Sequence, residues 1–138
     1  MNRKSCAENH FGLWLAEPHW MQEASDAIRS GMWEPDPDMS SAITIGSSDD
    51  EDENPYYNVD DTGIATIPIS GHMVKHRSSF GGTSTVEARR AVVKADNDPD
   101  VKAIMLLIDS PGGSVAGTFD LAHSVAETDT PIHSYAQD

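Results

Sequence analysis

The sequence predicts an α/β protein built on a parallel sheet, and three observations carry that prediction. Residues 101–109 (VKAIMLLID) form a nearly continuous apolar run of strand length. Such a run is typical of a strand that is buried on both faces in a parallel sheet. A helical pattern precedes it, and a second helical pattern and another strand-like stretch follow it. This order indicates a βαβ unit with a right-handed crossover.

The elements before the apolar run are a strand and a capped helix. Residues 63–74 are rich in β-branched side chains, and Pro68 indicates an edge or interrupted strand. The helix opens with Ser84 three residues before Glu87, which is a capping-box spacing. Asn-Asp-Pro at residues 97–99 ends it. Its predicted buried face contains Ala88, Ala91, Val92 and Ala95.

The elements after the run are a tight turn, a helix and a strand. We expect the second helix to begin near Ser114, because apolar residues then recur at helical spacing; these are Val115, Phe119, Ala122 and Ala126. Residues 131–136 predict the next strand.

Three regions follow from the composition along the chain. Residues 1–33 form an aromatic-rich N-terminal segment with a short helix over 17–31, and its aromatic side chains cover either this chain's core, an adjacent subunit or a larger partner. Residues 34–55 contain five consecutive acidic residues and predict a flexible linker, with a cation or a basic partner as the alternative. Residues 56–138 form the regular α/β region.

The bulk composition excludes several classes of function. Nine basic and 23 acidic residues among 138 give a formal charge of -14, which disfavours nucleic acid and anionic membrane surfaces as partners. Cys6 is the single cysteine, and no zinc-site spacing is present, so neither a metal nor a cofactor is expected. We find no signal peptide and no membrane span, and predict a cytoplasmic protein that is not secreted.

The motif with most chemical content is SPGG at residues 110–113, between the strand that ends at Asp109 and the predicted helix. Helix N-termini present unpaired N–H groups, and glycine allows close approach of another backbone. The turn could therefore bind a phosphate or the oxyanion of a carbonyl under attack, or be a plain tight turn. Neither the P-loop nor the Rossmann fingerprint is present.

The string AIMLLIDSPGGSVAGTFDLAHSV, preceded by GIATIPISGHMV, resembles the signal peptide peptidase A family of serine peptidases. The N-terminal tryptophan-containing segment is similar to the phage branch of that family, the minor capsid protein C-like head-maturation proteases. The resemblance implies an incomplete Clp protease/crotonase-like fold. It also implies that Gly112 or Gly113 lends a backbone N–H to the oxyanion hole, with Asp109, Ser110 and Pro111 supporting the turn or the substrate.

The resemblance further implies peptide-bond hydrolysis by Ser-Lys acyl transfer. Its substrates would be capsid, portal or scaffold proteins, and its location the host cytoplasm or the prohead. The full-length enzyme would form a homo-oligomer. The family's serine and lysine would lie downstream of Asp138, so residues 1–138 alone are expected to be inactive. The alternatives are a truncated, non-catalytic assembly protein, a bacterial signal-peptide-degrading peptidase and a crotonase-type acyl-CoA enzyme.

Other reactive side chains in the chain favour structural roles. Ser114 and Ser134 lack an evident base, and we expect Lys75 to be exposed. For Asp109, we expect hydrogen bonding to the N–H groups of the turn. The histidines have no metal-binding spacing on a helix; those in the α/β region are His72, His76, His123 and His133.

Overall fold

A computed structural model of the chain describes residues 14–30, 56–77 and 82–137. The acidic linker predicted at 34–55 lies outside these residues, and the three predicted regions stay predictions. The elements are β1 (Trp14–Ala16), α1 (Pro18–Ser30), β2 (Asn58–Val59), β3 (Ile64–Ser70), β4 (Met73–Val74), β5 (Thr83–Ser84), α2 (Thr85–Asp96), β6 (Ala103–Asp109), β7 (Gly112–Ser114), α3 (Thr118–Ala126) and β8 (Ile132–Ala136).

The larger sheet confirms the predicted α/β class. Its strand order is β2-β3-β6-β8, and β3, β6 and β8 run parallel. Helix α2 connects β3 to β6, and α3 connects β6 to β8, so two strand-helix-strand crossovers follow one another. The two-residue β2 pairs with β3 in the antiparallel direction.

The core lies between one face of this sheet and the two helices α2 and α3. The four residues predicted for the inner face of α2 are all fully buried. Ser84 caps α2 as predicted, since its hydroxyl accepts a hydrogen bond from the Glu87 N–H at 3.3 Å. The sheet and α3 complete the core with Ala65, Ile67, Ile69, Ile104, Leu106 and Leu121.

Pro68 lies within the sheet at a place where its missing N–H costs no pairing. Strand β3 lies between β2 and β6, but β2 reaches only Ala65 and Thr66. The Ser70 N–H points away from β6 and donates to the Thr83 hydroxyl at 2.9 Å. Because alternate residues of a strand point the same way, the Pro68 nitrogen faces that same side, where β3 has no strand neighbour.

Strand β6 is buried on one face, whereas the sequence predicted burial on both. Ile104 and Leu106 are buried, but Leu107 is 40% exposed and Asp109 is also exposed. The reason is that helices α2 and α3 pack against the same face of the sheet.

Helix α3 corrects two sequence predictions. It begins at Thr118 and not near Ser114, because β7 and a turn that ends at Gly117 (φ +86°) occupy the preceding residues. The later start changes which face is buried. Leu121 is buried and Val125 packs on the core, whereas Phe119 is 73% exposed.

The smaller sheet has the order β1-β7-β4-β5 and is a continuation of the larger one. The parallel pair β3 and β6 ends at Ser70 opposite Asp109, and the chains pair again as β4 and β7, with Met73 opposite Gly113. Two residues (71 and 72) separate these pairs between β3 and β4. Three residues (110 to 112) separate them between β6 and β7. The SPGG motif therefore holds one extra residue at a sheet corner, as in a β-bulge. We call this feature the bulged corner.

The core predicts the response to truncation. Ile67→Ala removes a side chain with no exposed surface, and we expect it to lower the free energy of unfolding by about 2–5 kcal/mol. Urea unfolding at neutral pH measures the difference. Val93→Ala is the matched control, because Val93 is 50% exposed, and it should change stability by less than about 0.5 kcal/mol. Equal losses in the two variants would contradict the position of the core.

Candidate functional site

The candidate site is the bulged corner, and its extra residue is held by a local hydrogen-bond loop. The Gly112 N–H donates to the Ser110 hydroxyl oxygen at 3.2 Å, and that hydroxyl lies 3.2 Å from the Gly112 carbonyl, to which it donates. Gly112 has φ +106°, a conformation that strongly favours glycine. On the facing chain, the Gly71 N–H donates to the Asp109 carbonyl at 2.8 Å. The main chain of the motif is thus fixed on both sides of the corner.

Backbone packs directly against each of the two motif glycines. A Cβ on Gly113 would lie 2.5 Å from the Met73 nitrogen and 2.7 Å from its carbonyl carbon. A Cβ on Gly112 would lie 2.8 Å from the Ala16 Cα. Any side chain at either position would push a neighbouring strand away. The glycines are required because backbones approach on two sides, β4 beside one and β1 beside the other.

Strand β1 lies along the motif and was missed by the sequence analysis. It pairs with β7 in the antiparallel direction, and the pairs are Trp14 with Ser114, Leu15 with Gly113 and Ala16 with Gly112. The Glu17 N–H extends the pairing by donating to the Pro111 carbonyl at 2.6 Å. A three-residue strand has no readable periodicity, so the only local signal was the Glu-Pro start of α1.

Glu17 joins β1 to α1. Its carboxylate accepts hydrogen bonds from the His19 N–H at 2.9 Å and the Trp20 N–H at 2.8 Å. These bonds, the first from His19, hold the pKa of Glu17 below its ordinary value. The Trp20 ring stacks on His72 at the corner of β3 and β4, with ring centroids 5.4 Å apart. The N-terminal segment therefore contacts the bulged corner twice, at Pro111 between β6 and β7 and at His72 between β3 and β4.

The structure changes the physical reason for expecting an oxyanion donor. From the sequence, we expected helix N–H groups beside the glycines. In the structure, α3 begins four residues after Ser114, and the glycines belong to strand β7. Any N–H group available at the motif is therefore a strand N–H. It would be offered to an extended chain that lies beside β7.

Asp109 does not make the hydrogen bonds that we expected of it. Its side chain is exposed, and the Gly112 N–H of the turn donates to the Ser110 hydroxyl instead. The contribution of Asp109 to the corner is its carbonyl, which accepts the Gly71 N–H. Pro111 likewise contributes its carbonyl, to Glu17.

The remaining candidates are dispersed. The buried Ser114 hydroxyl accepts the Ala116 N–H at 3.3 Å, while Ser134 is exposed on β8, opposite Leu106. Lys75 is exposed, as expected. Of the four histidines, His72 and His76 flank β4, His123 lies on α3 and His133 lies on β8. Within residues 14–30, 56–77 and 82–137, no three His, Cys, Asp or Glu side chains cluster to hold a metal ion, and none of the helices there is long and apolar enough to cross a membrane.

Two phage proteins are similar to this chain. It is 34% identical over 82 residues to the capsid assembly protease C of Escherichia phage lambda, a match that covers 55% of this chain and 19% of that protein. It is 38% identical over 68 residues to the head-tail preconnector protein GP5 of Enterobacteria phage P21, covering 46% of this chain and 13% of that protein. The predicted resemblance to the phage head-maturation protease branch is confirmed.

That similarity concerns a limited part of each relative. The chain spans about a fifth or less of the length of these curated relatives. No protein-family model matches it.

The Glu17 cap predicts a pH dependence at the start of α1. A lowered folded-state pKa stabilises the helix start above the ordinary pKa near 4.5, and this contribution is lost as the pH falls through the lowered value. We expect hydrogen-exchange protection of the His19 and Trp20 amides, corrected for intrinsic exchange, to fall over that range. Glu17→Gln keeps an acceptor oxygen but has no titrating charge, so its protection should be lower at pH 7 and independent of pH. Identical pH profiles for the two proteins would contradict the cap.

Proposed function

We propose that this chain is the N-terminal portion of a serine endopeptidase that processes phage capsid, portal or scaffold proteins during head maturation. The observation that carries the proposal is the geometry of Gly112 and Gly113, which form the side-chain-free start of strand β7 at a bulged corner. Bulges are common next to active sites, where they redirect part of a strand. The match to a protein named capsid assembly protease C supports the peptidase class and the phage head as its setting.

The chemistry assigned to the corner is electrostatic. When a hydroxyl attacks a peptide carbonyl, negative charge develops on the carbonyl oxygen, and a fixed N–H at about 2.7–3.1 Å stabilises it. Gly113 suits this role, because neighbouring main chain holds it rigidly and no side chain blocks an approaching substrate. Ser110 orients the turn through Gly112, and Asp109 and Pro111 act through their carbonyls.

The remaining catalytic groups belong to the resemblance. The proposed mechanism is Ser-Lys acyl transfer within a Clp protease/crotonase-like fold. The attacking serine and the lysine that removes its proton come from residues beyond Asp138. Ser114 is not the nucleophile of the proposal, because its hydroxyl is buried and accepts the Ala116 N–H. Lys75 is not the base of the proposal either. The full-length protein forms a homo-oligomer in the host cytoplasm or the prohead.

A non-catalytic role in head assembly is the second candidate, and one observation favours it. The phage P21 relative is named as a head-tail preconnector protein, a name that describes a structural part. The nucleotide sequence downstream of codon 138 separates the candidates. An in-frame continuation with a serine-containing small-residue stretch and a later lysine supports the peptidase, and a stop codon supports the assembly role.

The peptidase proposal predicts activity only in the longer protein. Residues 1–138 should show no turnover of casein or fluorogenic peptides, whereas the protein extended through the downstream serine and lysine should cleave them. Serine-directed inhibitors should block that cleavage. Inhibitor-sensitive activity of the 138-residue chain would show that the nucleophile lies within it and would refute the fragment proposal.

The proposed donor is testable without adding a side chain. In the longer protein, an ester linkage in place of the Gly113 amide removes its N–H alone and should lower kcat by about 10²–10³. The matched control is the same replacement at Gly63, whose N–H donates to the Asp60 carbonyl at 3.0 Å in a turn outside the corner. The control should lose some stability but keep its kcat. Unchanged kcat in the folded Gly113 ester would rule out this donor.

A further inference from the structure

We propose that β1, together with Glu17, is an internal occupant of a peptide-binding site along β7, and that an extended peptide binds there only when β1 leaves. This inference rests on the proposed function, because it concerns the same glycine strand. It adds a regulatory contact: the N-terminal segment of the chain covers the candidate oxyanion donor. The ligand class is an extended polypeptide that is recognised through its main chain.

The hydrogen-bond pattern shows how β1 covers the donor. In an antiparallel pair, hydrogen-bonded and non-bonded residue pairs alternate. The bond from Glu17 to Pro111 therefore makes Leu15 and Gly113 the next bonded pair. The Gly113 N–H points at the Leu15 carbonyl. The Gly112 N–H is engaged by Ser110, so both motif glycines have internal acceptors while β1 is present.

The Leu15 side chain contributes little to the binding of β1. Leu15 is 69% exposed although it lies opposite Gly113, against which the Met73 backbone packs closely. Ala16 is half-buried and Glu17 is exposed. A strand that is held through main-chain groups can be replaced by another extended segment with the same groups, which is the basis of strand addition to a sheet edge.

Helix α1 is weakly attached through the side chains that the structure describes. Among the side chains of α1 that the structure describes, none is fully buried, and Trp20 makes the described ring contact with the corner, on His72. Segments with few buried apolar contacts open locally at low free-energy cost. Glu17 caps α1 through its own carboxylate, and this cap does not depend on the pairing of β1. Release of β1 therefore leaves the carboxylate cap of α1 in place.

The test uses the 138-residue chain and a fluorescein-labelled synthetic peptide with the sequence of residues 12–17, GLWLAE. Leu15→Pro removes the N–H that bonds Gly113 and should free β7. Leu15→Ala is the matched control, because it keeps the main chain and loses a side chain that is mostly exposed. By fluorescence anisotropy, the peptide should bind Leu15→Pro at least about tenfold more tightly than either the unmodified chain or Leu15→Ala. A peptide with the same proline should not bind.

Equal affinities in all three proteins would overturn the inference, provided that circular dichroism shows an intact fold. If Leu15→Pro does not fold, hydrogen exchange in the unmodified chain tests the same inference. The Gly113 amide should exchange at least about a hundredfold faster than the Ile67 amide in the core, since β1 opens without global unfolding. Equal protection of the two amides would also overturn the inference.

Failure of this inference and failure of the peptidase proposal give different results. Peptide binding that appears in Leu15→Pro, together with an inactive longer protein, would uphold the occupied site and refute the enzyme. An active longer protein whose kcat depends on the Gly113 amide, together with unchanged peptide affinity, would uphold the enzyme and refute the occupant.

Discussion

The contact on which the corner depends is the approach of the Met73 backbone to Gly113. A Cβ at Gly113 would lie 2.5 Å from the Met73 nitrogen, a separation at which one of the two strands would have to move. Because the side chain is absent, β4 and β7 can pair again immediately after the larger sheet ends. That pairing joins β4 to β7 in the smaller sheet, in which β1 pairs with β7 and β5 pairs with β4.

The proposed chemistry uses the same constraint. An N–H group stabilises developing charge best when it is already in place, since no energy is then needed to reorganise it during the reaction. The extra residue between Asp109 and Gly113 is held by the Ser110 hydroxyl, and the facing chain is tied by the Gly71 N–H. The main chain at this position is therefore fixed by pairing on both sides. In the proposal, the absence of a side chain at Gly113 lets a substrate approach the N–H group. The fixed position of the main chain also keeps the strands paired.

The sequence predicted the elements whose causes are local. Helix α2 was predicted because Ser84 and its alanine face are a few residues apart, and β6 because its apolar run has strand length. The start of α3 was missed, since apolar spacing through Val115 continues a helical pattern that the left-handed Gly117 interrupts. Strand β1 was missed because its partner lies far along the chain. The SPGG motif was located correctly, but its surroundings depend on these non-local pairings.

The attachment of β1 has a thermodynamic consequence. The heat capacity and the denaturant dependence of an opening reaction scale with the surface that it exposes. Because Leu15 is already mostly exposed, release of β1 uncovers little further apolar surface of this side chain. Calorimetry and urea titration are therefore insensitive to the departure of Leu15. The bound and released forms of the N-terminal segment can interchange beneath a single cooperative unfolding transition.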